Sequence, residues 1–212
     1  AEHITTTYIA DGHHRFSAAA RLYQRMGDSP QANRYAQLMC MLMPSTTLEI
    51  HNFNRIVTAF SGAISPLAFL ARLSHYVTID PLPKAVEPQA EHELSCYLNK
   101  EWFRLRWRED VIKDYAHAGL PIMDVSLLNY CILEEILGFD NIRNDKRIKY
   151  VEGPRGLEAL MELTDSRTDV AFCLFPLSWE AFFLVIDHDL VLPPKSTWFE
   201  PRMLNGLVVQ PF

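Results

Sequence analysis

Hydrophobic residues recur at helical spacing between His13 and Met26. The apolar positions of this segment fall at i, i+3, i+4 and i+7: Phe16, Ala19, Ala20 and Tyr23. The spacing predicts a helix, and Gly27 is placed to end it. The preceding segment, Ile4 to Ala10, is rich in β-branched and aromatic residues and predicts a strand, which Asp11-Gly12 would end in a turn. The chain is therefore predicted to open with a strand, a tight turn and a helix.

Alternating strands and helices are predicted for the rest of the chain. Because proline is tolerated in the first turn of a helix, we expect helices to begin at Pro66 and Pro121, the second ending at Gly138. A hairpin is predicted from Leu94 to Trp107, with its turn at Asn99-Lys100. Hydrophobic runs predict further strands around residues 55–57 and 149 and at 170–175 and 207–209, and helices at 156–163 and 179–187.

A proline-rich segment separates two halves of this pattern. Residues 80–92 contain Pro81, Pro83 and Pro88 among acidic residues and have no apolar period, which is typical of a linker. The predicted domains are residues 1–80 and 94–212, joined by a linker loop at 81–93. The predicted fold class is α+β, with mixed sheets and flanking helices, a strand-turn-helix motif near the N-terminus and a second α/β lobe.

Composition excludes several classes of protein. Hydrophobic residues make up 49% of the chain and charged residues 22%, which is a globular composition and not a disordered one. The 20 Lys and Arg against 26 Asp and Glu give a formal charge of −6, which argues against a broad attraction to nucleic acid or an anionic membrane. No apolar stretch approaches the ~18 residues of a membrane span, so we expect a cytoplasmic protein.

The four cysteines are far apart in the sequence and mostly lie in apolar contexts, so they predict neither a zinc site nor a disulfide framework. We expect all four to be reduced core residues: Cys40, Cys96, Cys131 and Cys173.

The predicted turn before the first helix carries residue types that bind phosphate. The first amides of a helix are unpaired and the dipole is positive there, so anions bind readily. Gly12 lets backbone approach a ligand, and Arg15 suits a bidentate contact with phosphate oxygens. His13 and His14 add further donors. Asp11 would cap the helix, hold a metal ion that accompanies a nucleotide, or take a proton from a hydroxyl.

Structural roles compete with these assignments. Asp11 would be only an N-cap, the two histidines would be surface residues, and Arg15 would pair with an acid. A zinc site on His13 and His14 is disfavoured, because adjacent residues on a helix point about 100° apart.

A second candidate anion contact is Lys195-Ser196-Thr197, a lysine followed by two hydroxyls. Alternatively, this segment has no binding role and is an ordinary turn fixed by the two prolines that precede it. His51, Asn54 and Arg55 lie on a strand-like run and would line the same cleft. A structural role is favoured for these three, because a polar residue on an apolar element usually has a local partner.

Long stretches of the sequence resemble a family of unknown function, domain of unknown function 1015. The resemblance is carried by Tyr8 to Ala20 (YIADGHHRFSAAA) and Val191 to Val209 (VLPPKSTWFEPRMLNGLVV), with further similarity at residues 123–138 and 169–175. It implies that this sequence is the C-terminal half of a longer protein.

More distantly, the Asp-Gly-His-His-Arg turn is similar to the phosphate-binding turn of the ParB/sulfiredoxin-like fold, which includes free serine kinases. The resemblance implies that Gly12, His13, His14 and Arg15 hold phosphate and that Asp11 acts near the transferred group. The candidate catalytic residues are Asp11 and His13, and the expected cofactor is ATP or ADP with Mg. The kinases' catalytic glutamate lies upstream of the turn, where this sequence has only Glu2.

Two hypotheses for function follow from these observations. The first is a kinase-like phosphotransferase that acts on a small hydroxyl compound, with serine as the guess by resemblance. The second is a non-catalytic sensor of a nucleotide or phosphometabolite that uses the same turn. A DNA-binding module is disfavoured by the charge balance. The expected partner is therefore a small molecule, with no nucleic acid and no membrane.

Overall fold

The computed structural model describes residues 4, 6–27, 29–30, 32–62, 64–116 and 119–204. These residues belong to two compact units. Unit 1 is Ala1–Glu49 with Phe199–Phe212, and unit 2 is Ile50–Trp198. The predicted linker at 81–93 lies inside unit 2, because the strands on either side of it belong to one sheet. The chain thus divides at other places than the composition indicated.

Unit 1 contains the first helix, α1 (His13–Met26), at the bounds that the hydrophobic spacing predicts. Short 3-10 helices follow at Ala32–Tyr35 and Ser45–Thr47. The strand predicted for Ile4 to Ala10 is wrong over the described residues, since residues 6–10 are assigned to no strand. A run of residues with β propensity becomes a strand only where another strand pairs with its backbone groups.

The strands form two sheets, both built from short segments. Their bounds are β1 (Glu49–His51), β2 (Phe53–Thr58), β3 (Val77–Leu82), β4 (Glu93–Leu98), β5 (Glu101–Trp107), β6 (Ile148–Glu152), β7 (Asp169–Leu174) and β8 (Trp198–Glu200). β1 and β8 make a two-stranded sheet. The other six form one sheet in the order β3-β5-β4-β7-β2-β6, and every neighbouring pair in it is antiparallel. The fold class is α+β, as predicted, with antiparallel pairing throughout the large sheet.

The predicted hairpin is present as β4 and β5. Asn99 and Lys100 both have positive φ, 50° and 68°, as a two-residue turn between twisted strands requires. The basic side chains of β5 are not simply exposed to solvent. Arg104 and Arg106 both pair with the buried carboxylate of Glu93, each at 3.2 Å.

Helices cover both faces of the large sheet. The remaining helices are α2 (Pro66–Leu73), α3 (Glu109–Asp114), α4 (Asp124–Leu127), which continues as a π-helix over Leu128–Ile136, α5 (Gly156–Leu163) and α6 (Trp179–Asp187). The main core contains residues of the sheet, α2 and the π-helix, among them Leu105, Leu133 and Phe172, all fully buried. A second cluster contains Leu160 of α5 with Ile56 and Ala171.

Several further predictions can be compared with this fold. The helix predicted from Pro121 begins at Asp124, because Met123 is still extended (φ −91°, ψ 130°). Three cysteines are buried as predicted, but Cys40 is exposed, which corrects the expectation that all four are core residues. The strand predicted at 207–209 lies outside the described residues. Among the described residues, no helix is long and apolar enough to cross a membrane.

Candidate functional site

The turn before α1 has the conformation that its glycine allows. Gly12 is the N-cap of α1 with φ 82° and ψ 18°, a left-handed conformation that side chains disfavour. A Cβ added there would lie 3.1 Å from Nη2 of Arg15, whose side chain therefore folds back over the turn. A glycine at position 12 thus allows the left-handed backbone conformation and leaves room for the guanidinium of Arg15.

The N-terminus of α1 is open to solvent. No described side chain caps it, and its first hydrogen bond, from Phe16 N to Gly12 O, is 2.9 Å long. The amides of His13, His14 and Arg15 have no partner among the described residues. The rings of His13 and His14 lie 4.2 Å apart, and both side chains are exposed. The turn thus has the feature that was predicted to bind anions, unpaired amides at the positive end of a 14-residue helix, and its binding of an anion stays a prediction.

Asp11 is held from two sides within unit 1. Its Oδ1 accepts a hydrogen bond of 2.8 Å from Gly12 N, and its Oδ2 pairs with Arg202 Nη2 at 2.8 Å. Partial burial acts to raise the pKa of Asp11, but the bonds from Arg202 and Gly12, with the charges of Arg202 and Arg15, hold it below its ordinary value. Asp11 is not the N-cap that the sequence offered as one alternative, since its carboxylate makes no cap bond to α1.

The second candidate segment, Lys195 to Thr197, lies in unit 2. Lys195 is exposed with φ 58°, and its Nζ is 4.9 Å from the centroid of the Phe53 ring. Ser196 Oγ donates to Pro193 O at 2.6 Å, and Thr197 is half-buried. The structure does not place these three residues in the same unit as the turn, so a shared anion stays a prediction.

Ser196 instead lines a cleft of about 270 Å³ within unit 2. Its polar lining includes Asn52, Arg55, Glu91, His92 and Asp124, and its walls are largely apolar: Met123, Val125, Leu174, Phe175, Pro176 and Leu177. His92 N donates to Asp124 Oδ2 at 3.0 Å, and His92 Nδ1 lies 3.1 Å from Oδ1 of the same carboxylate. The hydrogen bond to Asp124 raises the pKa of His92.

Comparison with known proteins places the chain in a family. The pattern of the family described as "Protein of unknown function (DUF1015)" matches residues 2–126, more than half of the chain. The chain belongs to this family. No curated protein matches it.

Solved structures resemble this DUF1015 chain at low identity. A conserved hypothetical protein from Pyrococcus furiosus has 14% identity and a TM-score of 0.47, with 90% of this chain and 68% of that chain covered. A free serine kinase mutant in complex with ADP has 15% identity and a TM-score of 0.43, with 90% and 66% covered. Another mutant of that kinase, in complex with AMP, has 14% identity, the same TM-score and the same coverage. The chain spans about two thirds of the length of these structures. At TM-scores below 0.5, the likenesses do not assign a chemistry to this chain.

The structure adds site residues of the DUF1015 chain that the sequence did not single out. Arg202 reaches Asp11 across 190 intervening residues, so no local spacing could reveal it. His92 and Asp124 are separated by 32 positions, and each looked like an ordinary loop or helix-start residue. Asn54 has a local partner as expected, since it accepts a bond of 2.8 Å from Asn52 Nδ2.

Proposed function

We propose that this protein binds the phosphates of a nucleotide at the turn Asp11–Arg15 and transfers a phosphoryl group to a small hydroxyl compound. The observation that carries the proposal is the exposed start of α1, where three amides have no partner among the described residues. Two arginines stand beside them, Arg15 over Gly12 and Arg202 on Asp11. Guanidinium groups make charge-assisted hydrogen bonds to phosphate oxygens, so a turn with two of them suits a multiply charged oxyanion.

The donor set fits a phosphate chain with a magnesium ion. The amides and Arg15 would hold phosphate oxygens, and Asp11 would hold the ion, since magnesium binds proteins through one or two carboxylates and keeps several waters. When bound, magnesium neutralises charge on the phosphates. Phosphoryl transfer depends chiefly on positioning and electrostatic stabilisation, so a turn of this kind supplies much of what the reaction needs.

The residues of the turn take separate roles in the proposal. Arg15 and the amides stabilise negative charge on the transferred group, and His13 donates a hydrogen bond to it. Asp11 acts as a carboxylate and not as a proton acceptor, because its lowered pKa makes it a weak base. In the proposed transfer, the substrate hydroxyl forms the new bond to phosphorus as the bond to the nucleotide breaks. The nucleotide leaves with one phosphate fewer, and the hydroxyl proton passes to an oxygen of the transferred phosphoryl group. The hydroxyl substrate is proposed by class alone, with serine as the first compound to test.

Binding is tested by titrating the protein with ADP and ATP in a calorimeter, with and without Mg²⁺. We expect Arg15→Ala to weaken binding by about tenfold or more, since bonds to charged groups contribute ~1.5–3 kcal/mol. Arg21→Ala is the matched control, because Arg21 is an exposed arginine of the same helix, two turns further on. Equal affinities of Arg15→Ala and the unaltered protein would contradict the proposal.

Turnover is tested by following nucleotide consumption with serine and a panel of small hydroxyl compounds. We expect Asp11→Asn to retain nucleotide binding and lose turnover. A non-catalytic sensor is the second candidate, and the engagement of Asp11 by Arg202 and Gly12 favours it, because both carboxylate oxygens are already bonded. Stabilisation of the protein by a nucleotide, without any turnover, would favour the sensor. At a free nucleotide concentration one hundred times Kd, the free energy of unfolding should rise by ~2.7 kcal/mol.

A further inference from the structure

Arg55 is a buried cation that has no anionic partner in the part of the chain that the structure describes. It lies on β2, in register with Tyr150 of β6 on one side and Phe172 of β7 on the other. The side chain is 1% exposed. Its Nη1 donates to Phe53 O at 2.8 Å and its Nη2 to Lys195 O at 3.2 Å, while Nε has no partner among the described residues.

This arrangement is costly for the folded protein. Burial lowers the pKa of Arg55 to about 10, so the group is still charged at neutral pH. A buried charge is normally matched by a carboxylate, but no described carboxylate lies within ion-pair distance of Arg55. The Tyr150 ring, 5.5 Å from the guanidinium carbon, compensates only in part. Stability alone therefore does not account for an arginine at this position.

The missing anion has a place to bind, because Arg55 lines the cleft of unit 2. The cleft also holds the carboxylates of Glu91 and Asp124, with His92 bonded to Asp124. Two carboxylates against Arg55 and a titratable histidine give the lining a formal charge between −1 and 0. Such a lining repels a dianion but accepts a single negative charge at the guanidinium. The apolar walls suit an organic body attached to that charge.

We propose that this cleft binds a small organic monocarboxylate, with its carboxylate on Arg55 and its carbon chain against Met123 and Phe175. The guanidinium has five donors, two of them engaged by Phe53 O and Lys195 O, so it has donors left for a carboxylate. The cleft volume of about 270 Å³ holds a compound of a few carbon atoms. This inference is independent of the nucleotide site, since it rests on residues of unit 2 alone.

The test uses three probes and no nucleotide. Propionate supplies the carboxylate, propionamide has the same shape without charge, and inorganic phosphate is the multiply charged comparison. Binding of each probe to the whole protein is measured by titration calorimetry. We expect propionate to bind about tenfold more tightly than propionamide or phosphate. A factor of this size corresponds to one hydrogen bond to a charged group. Absence of propionate binding, or tighter binding of phosphate, would overturn the proposal.

Variants assign the binding to the cleft. Arg55→Met keeps an unbranched side chain as far as the position of Nε and removes the charged guanidinium, and we expect about a tenfold or greater loss of propionate affinity. Arg167→Met is the matched control, because Arg167 is an exposed arginine of unit 2, and should leave affinity unchanged. Undiminished binding by folded Arg55→Met would overturn the proposal.

A second variant keeps the test decisive if Arg55→Met does not fold. Ala181 of α6 lines the cleft, and Ala181→Phe fills it while leaving Arg55 in place. We expect this variant to lose propionate binding. Propionate affinity equal to that of the unaltered protein would place the ligand elsewhere and overturn the proposal.

Discussion

Arg15 and Arg55 show two ways in which this chain presents a positive charge. Arg15 lies on the exposed first turn of α1, where water solvates the guanidinium and salt screens it. Arg55 is buried among aromatic side chains and carbonyl oxygens. An exposed arginine is inexpensive to keep but attracts a ligand weakly, whereas a buried one costs desolvation and attracts strongly. The first is suited to multiply charged ligands held by many donors, and the second to a single charge.

The surroundings of the two arginines also differ in burial. No residue of α1 is buried, so the turn in unit 1 is carried by a helix that contributes little to a core. Arg55 lies on β2, an interior strand of the large sheet, where its neighbours in register include the fully buried Phe172. Substitutions should therefore separate binding from stability at the turn and couple the two at the cleft.

The largest expected difference is between Phe172→Ala and Phe16→Ala. Removing the ring of Phe172 leaves a cavity in the main core, and we expect the free energy of unfolding to fall by ~3–5 kcal/mol. Phe16 is 47% exposed on α1, and its removal should change that free energy by about 0.5 kcal/mol. Urea unfolding followed by tryptophan fluorescence measures unit 2, which contains all four tryptophans. Circular dichroism follows both units, and equal losses for the two variants would contradict the comparison.

The next effect concerns the support of the cleft. A Cβ added at Gly153 would lie 2.8 Å from the backbone oxygen of Asn52, a residue that lines the cleft. Because backbone atoms must shift, we expect Gly153→Ala to lower the free energy of unfolding by ~1–3 kcal/mol. Gly119→Ala is the control for adding a methyl group where nothing lies within 4 Å. Gly119→Ala is destabilised only by the positive φ at that position. If it lowered the free energy of unfolding as much as Gly153→Ala does, crowding against Asn52 would not be the cause of the destabilisation.

A smaller effect separates backbone strain from the placement of Arg15. Gly12 and Gly27 flank α1 and both have positive φ, so replacing either with alanine should cost about 1 kcal/mol or more. Only at Gly12 does the added methyl group meet the Arg15 side chain, since nothing lies within 4 Å at Gly27. We therefore expect Gly12→Ala to weaken ADP binding in calorimetry and Gly27→Ala to leave it unchanged. Equal affinities would mean that the position of Arg15 does not matter for binding.

Local patterns in the sequence predicted much of this fold because they are set by neighbouring residues. The helix spacing from Phe16 to Tyr23 gave α1 its bounds, and the Asn99-Lys100 turn identified the β4–β5 hairpin. The pairing of strands from distant segments could not be predicted from the sequence. Residues 6–10 have strand-forming composition and are assigned to no strand, and the order of the large sheet follows no sequence rule.

The candidate sites divide along the same line. The conformation of the turn Asp11–Arg15 was predictable because its five residues are consecutive and lie at a helix start. The cleft was not, because it depends on Arg55, His92 and Asp124 coming together from three separate segments. Arg55 was assigned a structural role on the rule that a polar residue on an apolar strand has a local partner. Arg55 does have a local partner, since its Nη1 donates to Phe53 O two residues away. Its Nε has no partner among the described residues, and only the folded surroundings reveal this.

The smallest effect concerns the acidic side of the cleft, where His92 is bonded to Asp124. That hydrogen bond, with the charges of Asp124 and Glu91, outweighs partial burial and raises the pKa of His92 above 6.5. A raised pKa in the folded state stabilises the protein fully below the unfolded value, and this stabilisation is lost as pH rises through the folded pKa. Between about pH 6 and about pH 9, the Tm of the unaltered protein should therefore fall by ~2 °C relative to that of His92→Gln. His188→Gln, an exposed histidine bonded to Leu184 O, should keep the fall, and parallel Tm curves for the unaltered protein and His92→Gln would contradict the ion pair.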